Sequence, residues 1–456
     1  MTVRSKSKLA GLALGLASAL SGAAAVIQVP ADYPTIQAAV NAAVSGDEIQ
    51  IAPGVYTQQT VISHKNLTLT GAPGAVIRAW PGMAISAQYQ WYNLVEITAA
   101  NVTVQGLEFE GERMEGAFAL SHHGFAALFY AAASGRVQDC VLQGFRGTNK
   151  LASLNSMGFV NWNPVSLGGG VVNLELLHNT FADNATSIWL AGDWQDNPAL
   201  LRTTFNVESN TISGIGPTSL DNQLGIAIVC GAGGVVKSNR ITDHYHSGAT
   251  ILDSSHGIAA YDRWRLGTTT PLVAVQVVHY EGNTLVNNQR PIGAALANGS
   301  QFINNRIEGP GGGLTSVGLS LSGTNILAGT NHFASLTQGI LLLGNDPIVG
   351  TALGIASNVT LASNRFCNVT NSVVIEPLVA GVTEQGTLTC PFPPPRLEVA
   401  AAVLLSWPND GETHTLESAP NLAGPWSLMN AIQTVQDGQV TVSVKADGQR
   451  QFFRLR

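Results

Sequence analysis

The chain has 456 residues, of which only 11% are charged while 49 are glycine, and its formal net charge is −7. A helical protein of this length would carry many more Lys and Glu on its solvent faces, so the composition argues against a largely helical fold. The negative charge provides no basic footprint for nucleic acid or for an anionic membrane. Abundant Gly and Asn with frequent Val, Ile and Thr favour short strands joined by tight turns.

The first 25 residues have the pattern of a cleavable export signal. Arg4, Lys6 and Lys8 form a positive start, Leu9 to Leu20 is apolar but too short to span a bilayer, and three alanines before residue 26 supply a cleavage site. We therefore expect residues 1–25 to be removed and the protein to be secreted, whether extracellular, at the cell surface or periplasmic. No later stretch is apolar enough for a membrane helix, so no membrane insertion is expected.

A short amphipathic helix is predicted at the start of the mature chain. Asp32 and Pro34 are helix-start signals, and Ile36, Val40 and Val44 lie on one helical face. Such a helix would cover the first open rung of a solenoid, whose exposed edge otherwise invites aggregation.

The start of the mature chain resembles the N-terminal signature of bacterial β-helix proteins. The matching segment runs from Val29 through this helix to the strand Glu48 to Ile51 and the turn Ala52 to Tyr56. These proteins belong to the pectin-lyase-like superfamily, and pectin methylesterases share the same opening. The resemblance implies a right-handed parallel β-helix across residues 26–390. The catalytic sequence runs of the esterases, polygalacturonases and alginate epimerases are absent, so the resemblance implies the fold and not an activity.

A repeated unit consists of an alternating strand, an asparagine, one further residue and an apolar residue. Stacked asparagines can pass amide hydrogen bonds along a column and tolerate the left-handed turn conformation. Seven such residues in phase predict a solenoid, and three earlier coils are expected to place Gly71, Gly106 and Cys140 at the same position. The asparagines are Asn179, Asn210, Asn239, Asn283, Asn305, Asn331 and Asn364.

Ten such rungs at about 4.8 Å each predict a rod about 43 Å long. The shortest interval, 22 residues from Asn283 to Asn305, indicates a bare coil, so longer intervals measure inserted loops. The longest interval, 44 residues from Asn239 to Asn283, could hide a second coil. Its middle, Tyr261 to Arg265, lacks the asparagine pattern and favours a loop.

The four cysteines are too few to form a disulfide framework. Cys367 and Cys390 lie 23 residues apart, about one coil, and could pair across adjacent rungs. Cys140 and Cys230 are expected to pack as small buried hydrophobic residues. No spacing typical of a metal site occurs, and neither His122-His123 nor the run Asp243 to His246 matches a metal motif, so the metal ligands are unknown.

After the solenoid, residues 391–395 read as a stiff proline-rich linker, and residues 396–456 as a small β domain. The pattern of turn residues and aromatics here resembles the β-sandwich-like modules at the C-termini of many bacterial secreted proteins. The predicted strands are Val403 to Trp407, Thr413 to Glu417, Val440 to Val444 and Gln451 to Arg456.

A second strand can be aligned in five consecutive coils, and the loops that leave it differ in length. A short turn at 230–234 lies between long loops at 163–170, 192–202 and 253–271, which predicts a cleft with the bare coil as its floor. The aligned strands are Phe125 to Ala131, Gly158 to Trp162, Thr186 to Ala191, Gly225 to Val229 and Gly248 to Leu252.

Aromatic and charged residues gather in these loops although charges are sparse elsewhere. Trp faces stack on sugar rings, and carboxylates with a basic group can perform acid–base chemistry. The candidate catalytic residues are Asp193, Asp253, His256, Asp262 and Arg263. The candidate substrate-binding residues are Trp162, Trp194, Trp264, Asp196 and Arg265.

Two chemistries and one structural interpretation stay open for this cluster. Asp193 and Asp253 would lie two rungs apart, about 9.6 Å, at the upper edge of the separation in an inverting glycosidase. A β-elimination would instead use His256, Tyr261 or Arg263 as base, with Arg or a cation such as Ca²⁺ stabilising the enolate. Alternatively the aspartates cap turns and the tryptophans pack their loops onto the body.

The sequence therefore predicts a secreted, monomeric β-helix protein that acts on or binds polysaccharide, with an acidic glycan favoured. If it is an enzyme, it is a polysaccharide lyase or glycoside hydrolase, and Ca²⁺ is a candidate cofactor only for the lyase. The alternative is a non-catalytic glycan-binding or surface/matrix structural protein. The missing family motifs favour this alternative, while the clustered acids and arginine favour chemistry.

Overall fold

The computed structural model divides the chain into two compact units, Met1–Pro391 and Phe392–Arg456. In the first unit it describes residues 24–112, 124–147, 156–167, 170–192, 201–219, 223–229, 231–247, 255–260, 276–310, 314, 316–344 and 354–390. In the second unit it describes residues 402–408, 414–419, 424–428, 433–436, 439–445 and 452–455.

The first unit is a solenoid in which each described strand pairs in parallel with its equivalent in the next coil. Val207 lies level with Val236, and Val236 with Tyr280, along one of three such columns. A chain that winds through three parallel sheets in turn is a parallel β-helix, which confirms the predicted right-handed parallel β-helix. In the described part of the chain, no helix is long and apolar enough to span a membrane.

The three sheets are named here in the order in which each coil visits them. Sheet 1 contains Val26–Val29, Glu48–Ile51, Leu67–Gly71, Asn101–Gln105, Ser134–Gln138, Val172–Leu177, Thr203–Glu208, Ala232–Lys237, Val278–Glu281, Gln301–Ile303, Thr324–Gly329, Ser357–Ala362 and Ala380–Gln385. Sheet 2 contains Gly54–Tyr56, Ala75–Arg78, Glu108–Glu110, Val141–Gln143, Thr180–Ala182, Thr211–Thr218, Arg240–His246, Thr284–Val286, Arg306–Glu308 and Leu388–Thr389. Sheet 3 contains Thr60–Ser63, Tyr92–Thr98, Phe125–Ala131, Ser156–Trp162, Thr186–Leu190, Leu224–Ile228, His256–Ala260, Arg290–Ala294 and Val317–Leu321. Two long strands, His332–Leu342 and Arg365–Ile375, run through sheets 2 and 3 in turn.

Inward side chains of successive coils stack into apolar columns. In sheet 3, Leu128, Phe159, Ile188, Ile226 and Ile258 follow one another in register, and all are fully buried. Each such side chain contributes about 1.5–3 kcal/mol relative to an exposed one. These columns fix which residues of the alternating strands face outward.

The predicted N-terminal helix is present as Ile36–Ala42. Its N-cap is Thr35, whose side chain accepts a hydrogen bond from the backbone N–H of Ala38 at 3.1 Å. Ile36 and Val40 are buried, and the helix packs on the first two strands of sheet 1 and the first strand of sheet 3. The expectation for Val44 is wrong: this residue is 65% exposed, because the helix ends at Ala42 and Ala43 is already extended.

The predicted asparagine column is confirmed. From Asn179 to Asn364, each Nδ2 donates to the Oδ1 of the next asparagine at 3.0 Å. The same oxygen also accepts a hydrogen bond from the preceding asparagine's backbone N–H at 2.9–3.1 Å. All seven side chains are buried, so the column satisfies polar groups that no water reaches.

The placement of the three earlier coils was wrong for two of them. Gly71 and Gly106 lie level with Asp139, one residue before the position that Cys140 and the asparagines occupy. The turn also has its left-handed residue before the asparagine and not at it. These residues, with φ between 53° and 66°, are Gly106, Asp139, His178, Ser209, Ser238, Gly282, Asn304, Thr330, Ser363 and Gly386.

The 44-residue interval contains one coil, as predicted. Ala232–Lys237 pairs directly with Val278–Glu281, and Arg240–His246 pairs directly with Thr284–Val286. The extra residues therefore belong to insertions between strands of a single coil.

Cys367 and Cys390 form a disulfide between the last two coils, with their Cα atoms 4.7 Å apart. Cys140 is buried and unpaired, which confirms its expected packing, and Cys230 lies outside the described residues. Because Cys390 belongs to the last strand pair, the disulfide fixes the end of the solenoid.

Replacing Cys367 with serine is expected to lower the free energy of unfolding by about 3 kcal/mol, since the disulfide closes a loop of 23 residues. Guanidinium unfolding followed by circular dichroism measures the change. A reductant should shift the wild-type curve onto that of the variant and leave the variant unchanged. Identical curves for the oxidised wild type and the variant would show that the disulfide contributes nothing.

The second unit contains two antiparallel three-stranded sheets. Its apolar centre includes Trp407, Leu416, Val440 and Val442. Two strands, Ser427–Leu428 and Gln433–Gln436, were not predicted, and the strand expected from Thr413 begins at Leu416. One sheet contains Ala402–Pro408, Gln439–Lys445 and Gln433–Gln436; the other contains Ser427–Leu428, Leu416–Ala419 and Phe452–Leu455. The proline-rich linker lies outside the described residues.

Candidate functional site

The outer face of sheet 3 is the part of the solenoid surface where aromatic and reactive side chains meet. Most outward residues of its central strands are buried, unlike those of sheets 1 and 2. Other parts of the chain therefore cover this face, and among the described residues Tyr89, Trp91 and Leu167 do so.

The N-terminal half of this face carries an aromatic patch. Tyr89 lies 5.1 Å from Phe129 and 5.9 Å from Trp162, measured between ring centroids, and Trp91 lies 5.4 Å from Phe129. Trp189 is two coils beyond Phe129 in the same column and packs against both this cluster and the next apolar one. Trp91, Trp162 and Trp189 are only half-buried. We define these five residues, Tyr89, Trp91, Phe129, Trp162 and Trp189, as the aromatic patch.

A carboxylate lies beside the aromatic patch. Glu96 is level with Phe129 on the adjacent coil and is only 7% exposed. Its Oε2 accepts a hydrogen bond from Nδ2 of Asn93 at 2.9 Å. Burial, and to a smaller extent the charge of Glu96, raise the pKa of Tyr89, whose hydroxyl lies 3.2 Å from Oγ1 of Thr98. Glu96 can thus present a carboxylate next to aromatic rings.

The C-terminal half of the same face is polar. His256 follows Leu224 in its column and precedes Arg290, so the imidazole and guanidinium stand on adjacent coils. His256 is 2% exposed and Arg290 is half-buried. His256 lies two coils beyond Trp189, about 9.6 Å along the solenoid.

Side-chain amides hold the segments that carry His246 and His256. Oε1 of Gln289 accepts hydrogen bonds from the backbone N–H groups of His246 at 3.2 Å and Ser255 at 2.9 Å. Oγ of Ser255 accepts one from the backbone of Gln223 at 2.8 Å. Nδ1 of His246 is buried and has no hydrogen-bond partner among the described residues. This nitrogen is therefore available to a ligand or to a loop.

His244 belongs to the core and not to this surface. It is fully buried, its Nδ1 lies 3.0 Å from Oδ1 of Asn288, and burial lowers its pKa to about 4. The imidazole is therefore neutral near neutral pH. The run Asp243 to His246 divides accordingly between a core residue, His244, and a residue near the outer face, His246.

A row of glycines sets the backbone beneath these side chains. A Cβ atom would lie 2.8 Å from the carbonyl of Ser187 at Gly158, 2.4 Å from that of Gly257 at Gly225, and 2.8 Å from that of Pro291 at Gly257. No side chain fits at such distances, so the strands can approach closely only with glycine there.

Of the ten predicted site residues, the structure describes two. Trp162 is at the end of its strand in the aromatic patch, and its Nε1 has no hydrogen-bond partner in the described part of the chain. His256 is in a strand of the polar half. The other eight, Asp193, Trp194, Asp196, Asp253, Asp262, Arg263, Trp264 and Arg265, lie outside the described residues.

One premise of the predicted site is wrong. The fifth second strand is His256–Ala260 and not Gly248 to Leu252, because His256 and Ile258 are in register with Leu224 and Ile226. Asp253 therefore precedes a strand, whereas Asp193 follows one. The separation of about 9.6 Å between them assumed equivalent positions and no longer holds.

Several residues of this face were missed by sequence reasoning. Glu96 could have been noticed as an acid within the apolar run of Leu94, Val95 and Ile97. Arg290 follows the apolar repeat by only a few residues and gives no comparable signal. The true fifth strand has glycine then isoleucine, as in Gly225-Ile226 of the preceding coil, and that pair could have placed His256.

Two other places in the described chain bring polar or metal-ligating side chains together. A shallow cavity of about 370 Å³ on sheet 1 is lined by Asn101, Thr103, Arg136 and Glu175, among others, but it lacks an aromatic ring. His332, Cys367 and Cys390 are the one described group with three close metal-ligating atoms, and its two sulfurs are bonded to each other. Neither place is therefore as strong a candidate for the functional site as the outer face of sheet 3.

Neither a protein-family model nor a curated protein matches this chain. Among solved structures, a PL6 family alginate lyase superposes with a TM-score of 0.51 at 12% identity, over 80% of this chain and 53% of that one. The catalytic domain of a GH87 α-1,3-glucanase in complex with nigerose gives 0.43 at 13% identity, over 80% and 69%. The periplasmic alginate epimerase AlgG gives 0.43 at 12% identity, over 75% and 77%. The likeness to the alginate lyase shows a shared parallel β-helix fold.

Proposed function

We propose that this protein is exported and binds a polysaccharide along the outer face of sheet 3, where it acts as a lyase or glycoside hydrolase. The observation that carries the proposal is the aromatic patch beside a buried carboxylate, with His256 two coils and Arg290 three coils beyond Trp189 on the same face. Half-exposed indole faces stack on sugar rings, and a row of them favours a linear glycan. The alginate lyase that shares the fold acts on alginate, in keeping with a glycan substrate.

The residues suggest a division of labour. The aromatic patch would hold the sugar rings, His256 would remove or deliver a proton, and Arg290 would stabilise a developing anion. Residues 193–200 and 261–275 come after sheet 3 strands in the sequence. Further groups would come from Asp193, Trp194, Asp196, Asp262, Arg263, Trp264 and Arg265. A lyase of this kind could use Ca²⁺ through such carboxylates.

The same proposal includes a monomeric protein with a secretion signal at residues 1–25, a linker at 391–395 and a C-terminal domain at 396–456. An acidic glycan is favoured because His256 and Arg290 lie level on adjacent coils of this face, where a guanidinium can bind a sugar carboxylate. The second candidate is a non-catalytic glycan-binding protein, which the aromatic patch alone would support.

The test is incubation of purified protein with pectate, alginate, xylan and α-1,3-glucan, followed by ultraviolet absorbance for unsaturated products and by a reducing-end assay. Trp189→Ala should weaken glycan binding about tenfold, since lost stacking is worth about 1–1.5 kcal/mol. His256→Ala should lower kcat at least 100-fold with little change in KM.

The matched control is Trp80→Ala, a half-buried tryptophan after the sheet 2 strand Ala75–Arg78, which should retain binding and activity. Binding without any product across the panel would favour the non-catalytic candidate. The proposal would be contradicted if the protein showed no binding and formed no product. It would also be contradicted if Trp189→Ala and Trp80→Ala caused equal losses.

A further inference from the structure

Three arginines, separated by a threonine and a histidine, form a row along the outer face of sheet 2. Arg240, Thr284, Arg306, His332 and Arg365 lie level with one another on five consecutive coils. The three arginines are exposed, and they recur at every second coil, about 9.6 Å apart. We define these five residues as the basic row; it spans about 19 Å.

The arginines of the basic row differ in their ion pairing from Arg78, Arg136 and Arg146 of the solenoid. Arg136 pairs with Glu175 of the next coil at 2.7 Å, Arg78 pairs with Glu110 of the next coil, and Arg146 with Asp183. Each of these guanidinium groups is neutralised by a carboxylate on an adjacent coil.

No such neutralisation occurs along most of the basic row. Arg306 reaches Glu308 of its own strand at 3.2 Å, but no described carboxylate lies within ion-pair distance of Arg240 or Arg365. Nε of Arg365 contacts Sγ of Cys390 at 2.9 Å. Burial and the positive charges of Arg306 and Arg365 lower the pKa of His332 and so favour its neutral form. The exposed guanidinium groups of Arg240 and Arg365 can therefore bind an anionic partner.

The spacing of the row indicates the partner's chemistry. In an extended polyuronate with a two-residue repeat, every second carboxylate points the same way, and two pyranose residues advance by nearly the length of two coils. We propose that the basic row binds an extended acidic polysaccharide, with Arg240, Arg306 and Arg365 each receiving one carboxylate. Arg suits this role because its planar donors match a carboxylate. Thr284 and His332 would contact the sugar between them.

This second site lies on a different sheet from the candidate functional site and shares with it only the class of ligand. It would hold the polysaccharide against the solenoid while sheet 3 binds another part of the same polymer. This raises the effective concentration of sugar residues at sheet 3. The spacing of about 9.6 Å between the arginines disfavours other polyanions such as duplex DNA, whose charges are spaced far more densely.

The experiment measures binding of polygalacturonate by affinity electrophoresis at two salt concentrations. Arg240→Gln/Arg365→Gln should weaken binding at least about tenfold and flatten its salt dependence, since two charge-assisted contacts are lost. Arg240→Gln/Arg306→Gln, which leaves the contact with Cys390 intact, should do the same. The control Arg78→Gln/Arg136→Gln changes the net charge equally and should stay within about twofold.

Equal losses in the control, or unchanged binding in both row variants, would overturn the proposal. Binding of duplex DNA as tight as that of polygalacturonate would also overturn it, because it would show a general polyanion surface. Trp189→Ala separates the two sites: retained polygalacturonate binding in that variant, with loss in the row variants, supports the basic row even if the proposed function fails.

Discussion

Replacing Asn239 with leucine is expected to lower the free energy of unfolding by about 3–5 kcal/mol, one of the largest effects available from a single side chain of this protein. Oδ1 of Asn239 accepts hydrogen bonds from N and Nδ2 of Asn210, and its Nδ2 donates to the carbonyl of Val207 and to Asn283. Leucine has nearly the same shape, so the loss isolates the polar contacts and leaves buried donors unsatisfied.

Guanidinium unfolding followed by circular dichroism measures the effect. The control is Asn101→Ala, an exposed asparagine at the start of a sheet 1 strand, which should stay within about 0.5 kcal/mol of wild type. Comparable midpoints for Asn239→Leu and the wild type would mean that the asparagine column is not a source of stability. Loss of glycan binding in proportion to unfolding, and not beyond it, would confirm that the column acts on structure alone.

Replacing Gly225 with alanine is expected to destabilise the solenoid by about 3 kcal/mol or more, because the new Cβ would lie 2.4 Å from the carbonyl oxygen of Gly257. That oxygen belongs to the backbone of the next coil and cannot rotate away, so the strands must separate. Separation would move Leu224 and His256, which are neighbours on the outer face of sheet 3. The change should therefore reduce glycan turnover as well as stability.

The matched control is Gly170→Ala, since no atom lies within 4 Å of a Cβ built at that glycine. Thermal unfolding and the product assay are applied to both variants. Gly225→Ala with wild-type stability would show that the coils can shift freely, and the glycine row would then have no role in fixing the site.

The sequence was sufficient for the parts of the fold that repeat. The asparagine column is visible because each Asn fills one chemical requirement, a buried amide bonded to the next, at every coil. The disulfide partners were found for the same reason, since a spacing of 23 residues matches one coil. The misplacement of Gly71 and Gly106 arose where glycine serves a different requirement. Gly106 is the left-handed residue one position earlier, and a Cβ at Gly71 would lie 2.7 Å from the carbonyl oxygen of Gly106.

The sequence was not enough to place a strand where two neighbouring segments have similar patterns. Gly248 to Leu252 and His256–Ala260 are both short and apolar, and only pairing with Leu224–Ile228 distinguishes them. The wrong choice displaced Asp253 relative to Asp193 and removed the basis of their predicted separation. Glu96 and the basic row escaped notice because their meaning depends on residues about 25 to 45 positions away that become neighbours only through the coil.

The bare coil between Asn283 and Asn305 has a consequence for how such a protein could change over generations. It needs 22 residues, it contacts only the coils on either side, and its asparagine joins the column in the same way as any other. Duplicating or deleting one such segment would lengthen or shorten the rod without altering its cross-section. The distance between glycan contacts could therefore evolve in steps of one coil, and the chain could come to match polymers with different repeat lengths.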